Sequence, residues 1–101
     1  MWPLARFRVE DASMEPSLRA GDYVLVNRWA YAFRAPGPGD IVVFRHPRRD
    51  GMFLIKRIAS VDGAGRIVVS GDNAAWSEDS RTFGPVGREA LVGRVIVRTR
   101  P

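Results

Sequence analysis

Short runs of β-type residues, divided by turn residues, constrain the fold of this sequence more than any other feature. Gly, Pro and Asp separate the runs, and VDGAG between two of them is typical of a β-hairpin. No segment sustains a helical period, although PSLRAG could form one helical turn. The pattern predicts an all-β fold, either a barrel or a folded-over sheet. The six runs are FRVE (7–10), DYVLVNR (22–28), DIVVFRH (40–46), MFLIKRIASV (52–61), RIVVSG (66–71) and ALVGRVIVRT (90–99).

Composition is that of an ordinary globular protein. The chain has 101 residues, of which 46% are hydrophobic and 27% charged, so we expect one domain spanning residues 1–101. The absence of cysteine excludes disulfides, thiol catalysis and cysteine-ligated metals. The single histidine, His46, makes a Ser-His-Asp triad or a histidine-rich metal site hard to build, and its FRHPRR context predicts a solvated turn. No metal or cofactor is expected.

The charge pattern argues against nucleic acid as a partner. The formal net charge of +5 comes almost wholly from arginines, which are scattered singly along the chain with only Arg48-Arg49 adjacent. There is no basic helix, zinc finger or aromatic RNA-binding signature. No apolar run approaches the length of a membrane span. The N-terminal MWPLARFRVEDA lacks the hydrophobic core of a signal peptide. We therefore expect a soluble chain.

Lys56 lies inside FLIKRIA (53–59), a run that otherwise is typical of a buried strand. Because strand side chains alternate, Leu54, Lys56 and Ile58 should share one face. An outward lysine on an edge strand would need no functional explanation. Burial, in contrast, would depress the lysine pKa and let the amine act as a base. The choice depends on a partner for Lys56 elsewhere in the chain.

Ser13 is the candidate partner. It lies in VEDASMEPSLRAGD (9–22), just after a predicted strand, where Pro16 restricts the backbone to a turn or a single helical turn. A serine hydroxyl is a poor nucleophile until a base removes its proton. Without a usable histidine, the remaining bases are carboxylates and a neutral lysine, and Ser-Lys pairing is a recognised catalytic variant.

Three segments resemble a known family. SMEPSLRAGDYVLV, GDIVVFRHPRRDGMFLIKRI and GDNAAWSEDSRTFGPV are similar, in order, to the main boxes of type I signal peptidases and their mitochondrial inner-membrane relatives. The resemblance runs from about Asp11 to Val86 and continues into the closing GRVIVR strand. The Ser-Met-x-Pro box is shared with LexA-type repressors, whereas the last box is much more specific. The resemblance implies a signal peptidase/LexA-like folded-over β-sheet, a partly closed barrel with at most one short helical turn.

The resemblance also implies catalytic roles. Ser13 would be the acylating nucleophile, with its own backbone N–H as an oxyanion-hole donor. Lys56 would be the general base, and Ser77 would hydrogen-bond and orient its amine. A free lysine, with a pKa of ~10.4, is neutral in only about one molecule in 2,500 at pH 7. Lowering that pKa by roughly two units raises the fraction to about one in 25, which apolar burial can achieve.

Further positions match residues that build the family's site. Asp79 and Arg81 match a structural ion pair that holds the last box near the site. Met14 matches a residue of the substrate-side wall. Residues 71–73 (GDN) would form the turn that brings Ser77 to the lysine.

Asp11 departs from the family pattern. Two residues before the nucleophile, many bacterial signal peptidases have a serine that completes the oxyanion hole, and others have glycine. An ionised carboxylate facing a developing oxyanion would repel it, so Asp11 must point away or stay protonated. We interpret it as a loop or turn-capping residue, and the second oxyanion donor stays unassigned.

The aromatic segment Trp29–Phe33 allows two interpretations. Trp29, Tyr31 and Phe33 alternate before PGPG ends the run. They would either form an edge strand covering the core or an exposed rim that touches lipid headgroups or a protein substrate.

The expected function is a serine endopeptidase that removes an N-terminal leader from a protein substrate. The compact size resembles soluble maturation proteases of nickel-containing superoxide dismutase, which would place the protein in the cytoplasm. A signal peptidase core without its anchor would instead be membrane-associated, with its catalytic domain outside the cytoplasm. A LexA-type self-cleaving domain and an inactive peptide-binding module are the remaining alternatives.

Overall fold

A computed structural model describes residues 2–100 and shows an all-β fold, which confirms the predicted fold class. All six predicted runs form strands, although the first strand begins three residues earlier than expected. Their bounds are β1 Leu4–Arg8, β2 Tyr23–Asn27, β3 Ile41–Arg45, β4 Phe53–Val61, β5 Ile67–Ser70 and β6 Leu91–Thr99.

The strands form one antiparallel sheet in the order β1-β2-β6-β3-β4-β5. Irregularities in register interrupt three of the ladders, and such irregularities increase the local twist and bend the strands. The sheet folds over until β1 approaches β4, where the rings of Phe7 and Phe53 lie 5.7 Å apart. The two strands do not pair, so the barrel stays open between them.

This opening is bordered by two free strand edges. Within residues 2–100, β1 has a strand partner only in β2. In β4, residues 53–57 pair with β3, whereas residues 57–61 pair with β5. Residues 53–56 therefore have a partner along one edge only, and their other edge faces the opening.

Apolar side chains pack on both faces of the sheet, because its folding leaves neither face entirely open to solvent. One core cluster lies under β5 and a short helix, α1 (Ser80–Phe83). The buried members of the other come from β2, from β3 and from the turns that follow β1. The buried members of the first are Val42, Phe44, Leu54, Ile58, Ile67, Val69, Phe83 and Val86; those of the second are Val9, Met14, Leu18, Val24, Val26 and Val43.

The helical turn is not where the sequence suggested. PSLRAG forms turns, with a single helix-like hydrogen bond from the Leu18 N–H to the Met14 carbonyl (3.0 Å). The four-residue α1 lies instead in the segment GDNAAWSEDSRTFGPV (71–86), where the Asp79 side chain caps it by accepting the Arg81 N–H. Two single 3₁₀ turns span Ala74–Trp76 and Arg88–Ala90.

The segment from Trp29 to Phe33 forms turns, so its interpretation as an edge strand is wrong. Its aromatic side chains also differ in environment. Trp29 is half exposed and Phe33 almost fully exposed, whereas Tyr31 packs on the first core cluster and donates its hydroxyl to Asp40 at 2.7 Å. The exposed rim therefore consists of Trp29 and Phe33.

Candidate active site

Ser13 and Lys56 meet in the interior of the protein. Lys56 Nζ lies 2.7 Å from Ser13 Oγ, although the residues are 43 positions apart. Lys56 is only 1% exposed and Ser13 only 3%. The geometry places a primary amine in direct hydrogen-bonding contact with a hydroxyl, away from bulk water.

Strand β4 determines the position of Lys56. Leu54, Lys56 and Ile58 share one buried face, as the period of two predicts, and their neighbours on β4 are less buried. Pairing with β3 places Lys56 opposite Val42, which is fully buried. The long stem of the lysine is therefore enclosed by apolar side chains, and its amine reaches the edge of the sheet at Ser13.

Burial lowers the pKa of Lys56 below its ordinary value, because desolvation disfavours the ammonium form. Three carboxylates oppose this effect by attracting the ammonium, in the order Asp11, Asp79 and Glu78. Desolvation is the largest of these effects, so the neutral amine is favoured relative to a solvated lysine.

Ser13 sits in a tight turn that follows β1. Its backbone N–H donates to Asp11 Oδ1 at 3.0 Å, which is an Asx turn. The interpretation of Asp11 as a turn-capping residue agrees with this contact. The N–H that the family resemblance implies as an oxyanion donor is thus already hydrogen-bonded to a carboxylate.

The GDN box, residues 71–73, clamps the turn that carries Ser13. The Asn73 N–H donates to the Ser13 carbonyl at 2.8 Å, and Asn73 Nδ2 donates to the Ala12 carbonyl at 3.1 Å. Gly71 lies so close that an added Cβ would be 2.1 Å from Ser77 Oγ and 2.7 Å from the Ser13 carbonyl oxygen. Only glycine fits this approach, so the box holds the turn that carries the serine.

A second clamp joins the two sides of the site through Asp72. Arg57, next to Lys56, makes two hydrogen bonds to the Asp72 carboxylate, at 2.9 and 2.8 Å. Ser17, in the Ser13 turn, donates to the same carboxylate at 2.6 Å. The hydrogen bonds from Arg57 hold the pKa of Asp72 below its ordinary value. The sequence did not reveal this role, because the three residues lie far apart in the chain.

A small cleft opens between the free edges of β1 and β4. It has a volume of about 60 Å³ and is lined by residues 8–11, 13–14 and 53–56. Met14 is 1% exposed and forms part of its wall.

Comparison with known proteins assigns the chain to a family. The family described as "Signal peptidase, peptidase S26" matches residues 1–64 and 63–99. The chain belongs to the signal peptidase family.

Several curated relatives come from bacteria and mitochondria. Signal peptidase I of Pseudomonas aeruginosa is 31% identical over 86% of this chain and 33% of its own length. Signal peptidase I of Aquifex aeolicus is 40% identical over 56% of the chain and 22% of its own length. The Mitochondrial ATP-independent inner membrane protease subunit 1b of Arabidopsis thaliana is 33% identical over 88% of the chain and 66% of its length. The chain thus spans between about a fifth and two thirds of these relatives.

Ser77, expected to orient the lysine of this family member, has a different partner. Its hydroxyl donates to Asp79 Oδ2 at 3.3 Å, and among residues 2–100 the hydrogen bond of Lys56 Nζ goes to Ser13. Ser77 is nevertheless part of the site, because its Oγ lies against Gly71. Its effect on Lys56 would pass through the position of Asp79.

The ion pair between Asp79 and Arg81 is present, at 3.0 Å from Arg81 Nε to Asp79 Oδ1. The Asp79 side chain is fully buried, and Arg81 reaches it from the surface. Burial alone would raise the pKa of Asp79, but hydrogen bonds from Arg81 and from the Gly71 N–H lower it. An ionised Asp79 therefore anchors both the GDN box and α1.

His46 is not in a solvated turn, contrary to the expectation from its sequence context. It is 7% exposed and packs against Phe83, with ring centroids 5.2 Å apart. Its Nδ1 accepts the Arg48 N–H, so its Nε2 donates to Glu78 Oε1 at 2.7 Å. Val42 and Phe44 alternate along β3, and His46, the residue just after the strand, continues this alternation, which was the signal for its burial. The contact ties β3 to the loop that carries Ser77.

No helix among residues 2–100 has the length and apolarity needed to cross a membrane. Within the same range, no group of three or more His, Asp or Glu side chains is arranged to hold a metal ion.

Proposed function

We propose that this chain is a serine endopeptidase that uses Ser13 and Lys56 to remove an N-terminal leader from a protein substrate. The observation that carries the proposal is the buried contact of 2.7 Å between Lys56 Nζ and Ser13 Oγ. A lysine that is desolvated and in contact with a hydroxyl has the geometry and the lowered pKa that a general base requires.

The proposed reaction begins with a neutral Lys56. Its amine accepts the Ser13 proton as Oγ attacks the scissile carbonyl, which gives a tetrahedral oxyanion and a lysine ammonium. The ammonium then gives its proton to the leaving amine as the peptide bond breaks, leaving an acyl-serine. A water molecule deprotonated by Lys56 attacks the ester, and the collapse of that intermediate releases the leader carboxylate and restores Ser13.

Two features of the cleft support an extended peptide as the substrate. The free edges of residues 8–11 and 53–56 can pair with a substrate backbone as an additional strand. The cavity of about 60 Å³ beside Ser13 suits small side chains. We therefore propose small residues just before the cut and two positions upstream, which is also what the family resemblance implies.

The finer proposal is a soluble maturation protease of the nickel superoxide dismutase type. It is supported by the compact connection between Lys56 and the GDN box, which contains only the β4–β5 hairpin. A membrane-associated signal peptidase is the second candidate, and the exposed aromatic side chains of Trp29 and Phe33 favour it. Such side chains can rest on lipid headgroups or on a protein substrate.

A leader-peptide library tests the proposal. Purified protein is incubated with peptides that carry leaders of the nickel superoxide dismutase type or of the signal-peptide type, each with small or bulky residues before the cut. The products are identified by mass spectrometry. Ser13→Ala and Lys56→Ala serve as controls. Cleavage after small residues, abolished in both variants, supports the function. The function is contradicted if both variants stay active, or if cleavage occurs only after bulky or charged residues.

A further inference from the structure

The carboxylate of Asp11 occupies a hydrogen-bond donor that the proposed reaction needs. Its Oδ1 lies 3.0 Å from the Ser13 backbone nitrogen, and it lines the cleft together with Ser13 and Lys56. In acyl transfer by a serine, the backbone N–H of the nucleophile is well placed to stabilise the oxyanion that forms on the substrate carbonyl. A carboxylate oxygen and a substrate oxyanion cannot both take this donor.

The hydrogen bond from the Ser13 N–H to Asp11 is strong, but the exposure of Asp11 allows it to be broken. A hydrogen bond from an N–H to a charged carboxylate is about twice as strong as one between neutral groups. Asp11 is nevertheless exposed, so its side chain can turn into water when a substrate carbonyl approaches. Its negative charge also lies close enough to Lys56 to favour the ammonium form of the lysine.

On the basis of the function proposed above, we infer that Asp11 is an internal competitor of the substrate, which holds the Ser13 N–H in the free enzyme and releases it when the oxyanion forms. Asp11 then lowers the activity of the free enzyme in two ways. The oxyanion donor is occupied, and the base is held closer to its protonated form. Only a substrate that binds the cleft well enough to displace the carboxylate would be cleaved quickly.

Asp11→Asn separates this role from that of a simple turn cap. Asparagine keeps an oxygen that can cap the turn, but it has no charge to hold the N–H strongly or to repel an oxyanion. We expect kcat/KM for leader cleavage to rise by about tenfold, which is below the roughly 10²–10³-fold effect of a complete oxyanion donor. Asp11→Ala, which removes the acceptor as well, should change the rate in the same direction.

Asp62→Asn is the matched control. Asp62 Oδ1 accepts the Ala64 N–H at 2.9 Å, which is the same Asx geometry, but in the β4–β5 hairpin. Its pairing with Arg66 lies away from the cleft. We expect its kcat/KM to stay within about twofold of wild type, because of these two carboxylates only Asp11 lines the cleft.

Two further readouts would not respond to a turn cap. In Asp11→Asn, the pH at which the rate is half-maximal should fall, since a carboxylate that raises the pKa of Lys56 is gone. The other acidic groups that act on Lys56 are Asp79, paired with Arg81, and Glu78, paired with His46 and Arg49, and both stay in place. A peptide aldehyde, which adds Ser13 Oγ across its carbonyl, should bind more tightly than to wild type, while the corresponding alcohol should bind equally.

The outcomes separate the two proposals. A faster Asp11→Asn enzyme with a lower pH midpoint and tighter aldehyde binding supports the inference. Equal or slower cleavage than by an active wild type overturns it and leaves the endopeptidase assignment intact. If neither wild type nor Asp11→Asn cleaves any leader or binds the aldehyde through Ser13, the proposed function is wrong and the competitor role falls with it.

Discussion

Lys56 and Ser13 are held by different kinds of structure. Lys56 lies within a regular strand, where the ladder with β3 and an apolar face on β4 determine where its side chain goes. Ser13 lies in a turn, and its position depends on hydrogen bonds from Asn73 and on the Asp72 clamp, some 60 residues away. Secondary structure therefore positions the proposed base, and contacts between distant loops position the proposed nucleophile.

This difference has a consequence for sensitivity to substitution. Strand pairing is distributed over many backbone hydrogen bonds, so one substitution in β4 rarely displaces the strand. The Ser13 turn depends on a few side chains, so the substitution of any one of them can displace the nucleophile. We expect substitutions in the GDN box to reduce activity more than their effect on stability would suggest.

The largest expected loss of activity tests whether Ser13 and Lys56 act in the same step. Ser13→Ala and Lys56→Met should each lower kcat for leader cleavage by at least about 10³-fold, because the nucleophile and its base serve the same step. The double variant should be no slower than either single one. Thermal unfolding of all three should show an intact fold, and additive losses in the double variant would mean that the residues act independently.

The next effect concerns the close approach of the GDN box to the serine turn. Gly71→Ala would place a methyl group within 2.1–2.7 Å of Ser77 Oγ and the Ser13 carbonyl oxygen. We expect a loss of stability of about 1–3 kcal/mol from overpacking, and a loss of kcat of about 10²-fold, since a displacement of about 1 Å can cost that much.

Gly63→Ala is the control for that substitution. Gly63 lies in the β4–β5 hairpin, has no positive φ, and has no atom within 4 Å of an added Cβ. Urea unfolding and kcat should both match wild type. If Gly71→Ala behaved like Gly63→Ala, the tight contact between the box and the serine turn would not exist in solution.

A smaller effect is expected when the second clamp is weakened. Asp72→Asn removes the charge that Arg57 binds and that Ser17 approaches. We predict a fall in kcat of about tenfold with little change in KM, because the turn carrying the nucleophile loses one of its two supports. Asp62→Asn again removes an Asp–Arg pair, away from the site. An equal effect of both substitutions would contradict a specific role for Asp72.

The strands and their buried faces could be predicted from the sequence, whereas many of the contacts between loops could not. Alternation along β4 is a local pattern, so it indicated the buried face of Lys56 and the all-β class. Contacts such as Ser17 with Asp72 join residues 55 positions apart, and no local period indicates them. The lack of a usable histidine left carboxylates and Lys56 as candidate bases for Ser13, and the family resemblance then selected Lys56. The burial of His46 was missed because the turn-like residues after it concealed the fact that it continues the alternation of β3, which ends one residue earlier.

Burial should make Lys56 a better base than a solvated lysine, and the side chain of Lys56 can be observed alone. Lys56 is the only lysine in the 101-residue sequence, so isotope-labelled lysine gives one side-chain NMR signal, free of overlap from other lysines. Its titration should be followed in the folded protein and, as a reference, in denaturant.

We predict that the folded titration midpoint of Lys56 lies below the ordinary value of ~10.4, which the denatured protein should show. Because only the neutral amine accepts the serine proton, cleavage should rise with pH through that same midpoint, without a step near pH ~6.5 from a histidine base. A folded midpoint at or above the denatured one, or a cleavage rate independent of pH where chemistry limits it, would contradict Lys56 as the base.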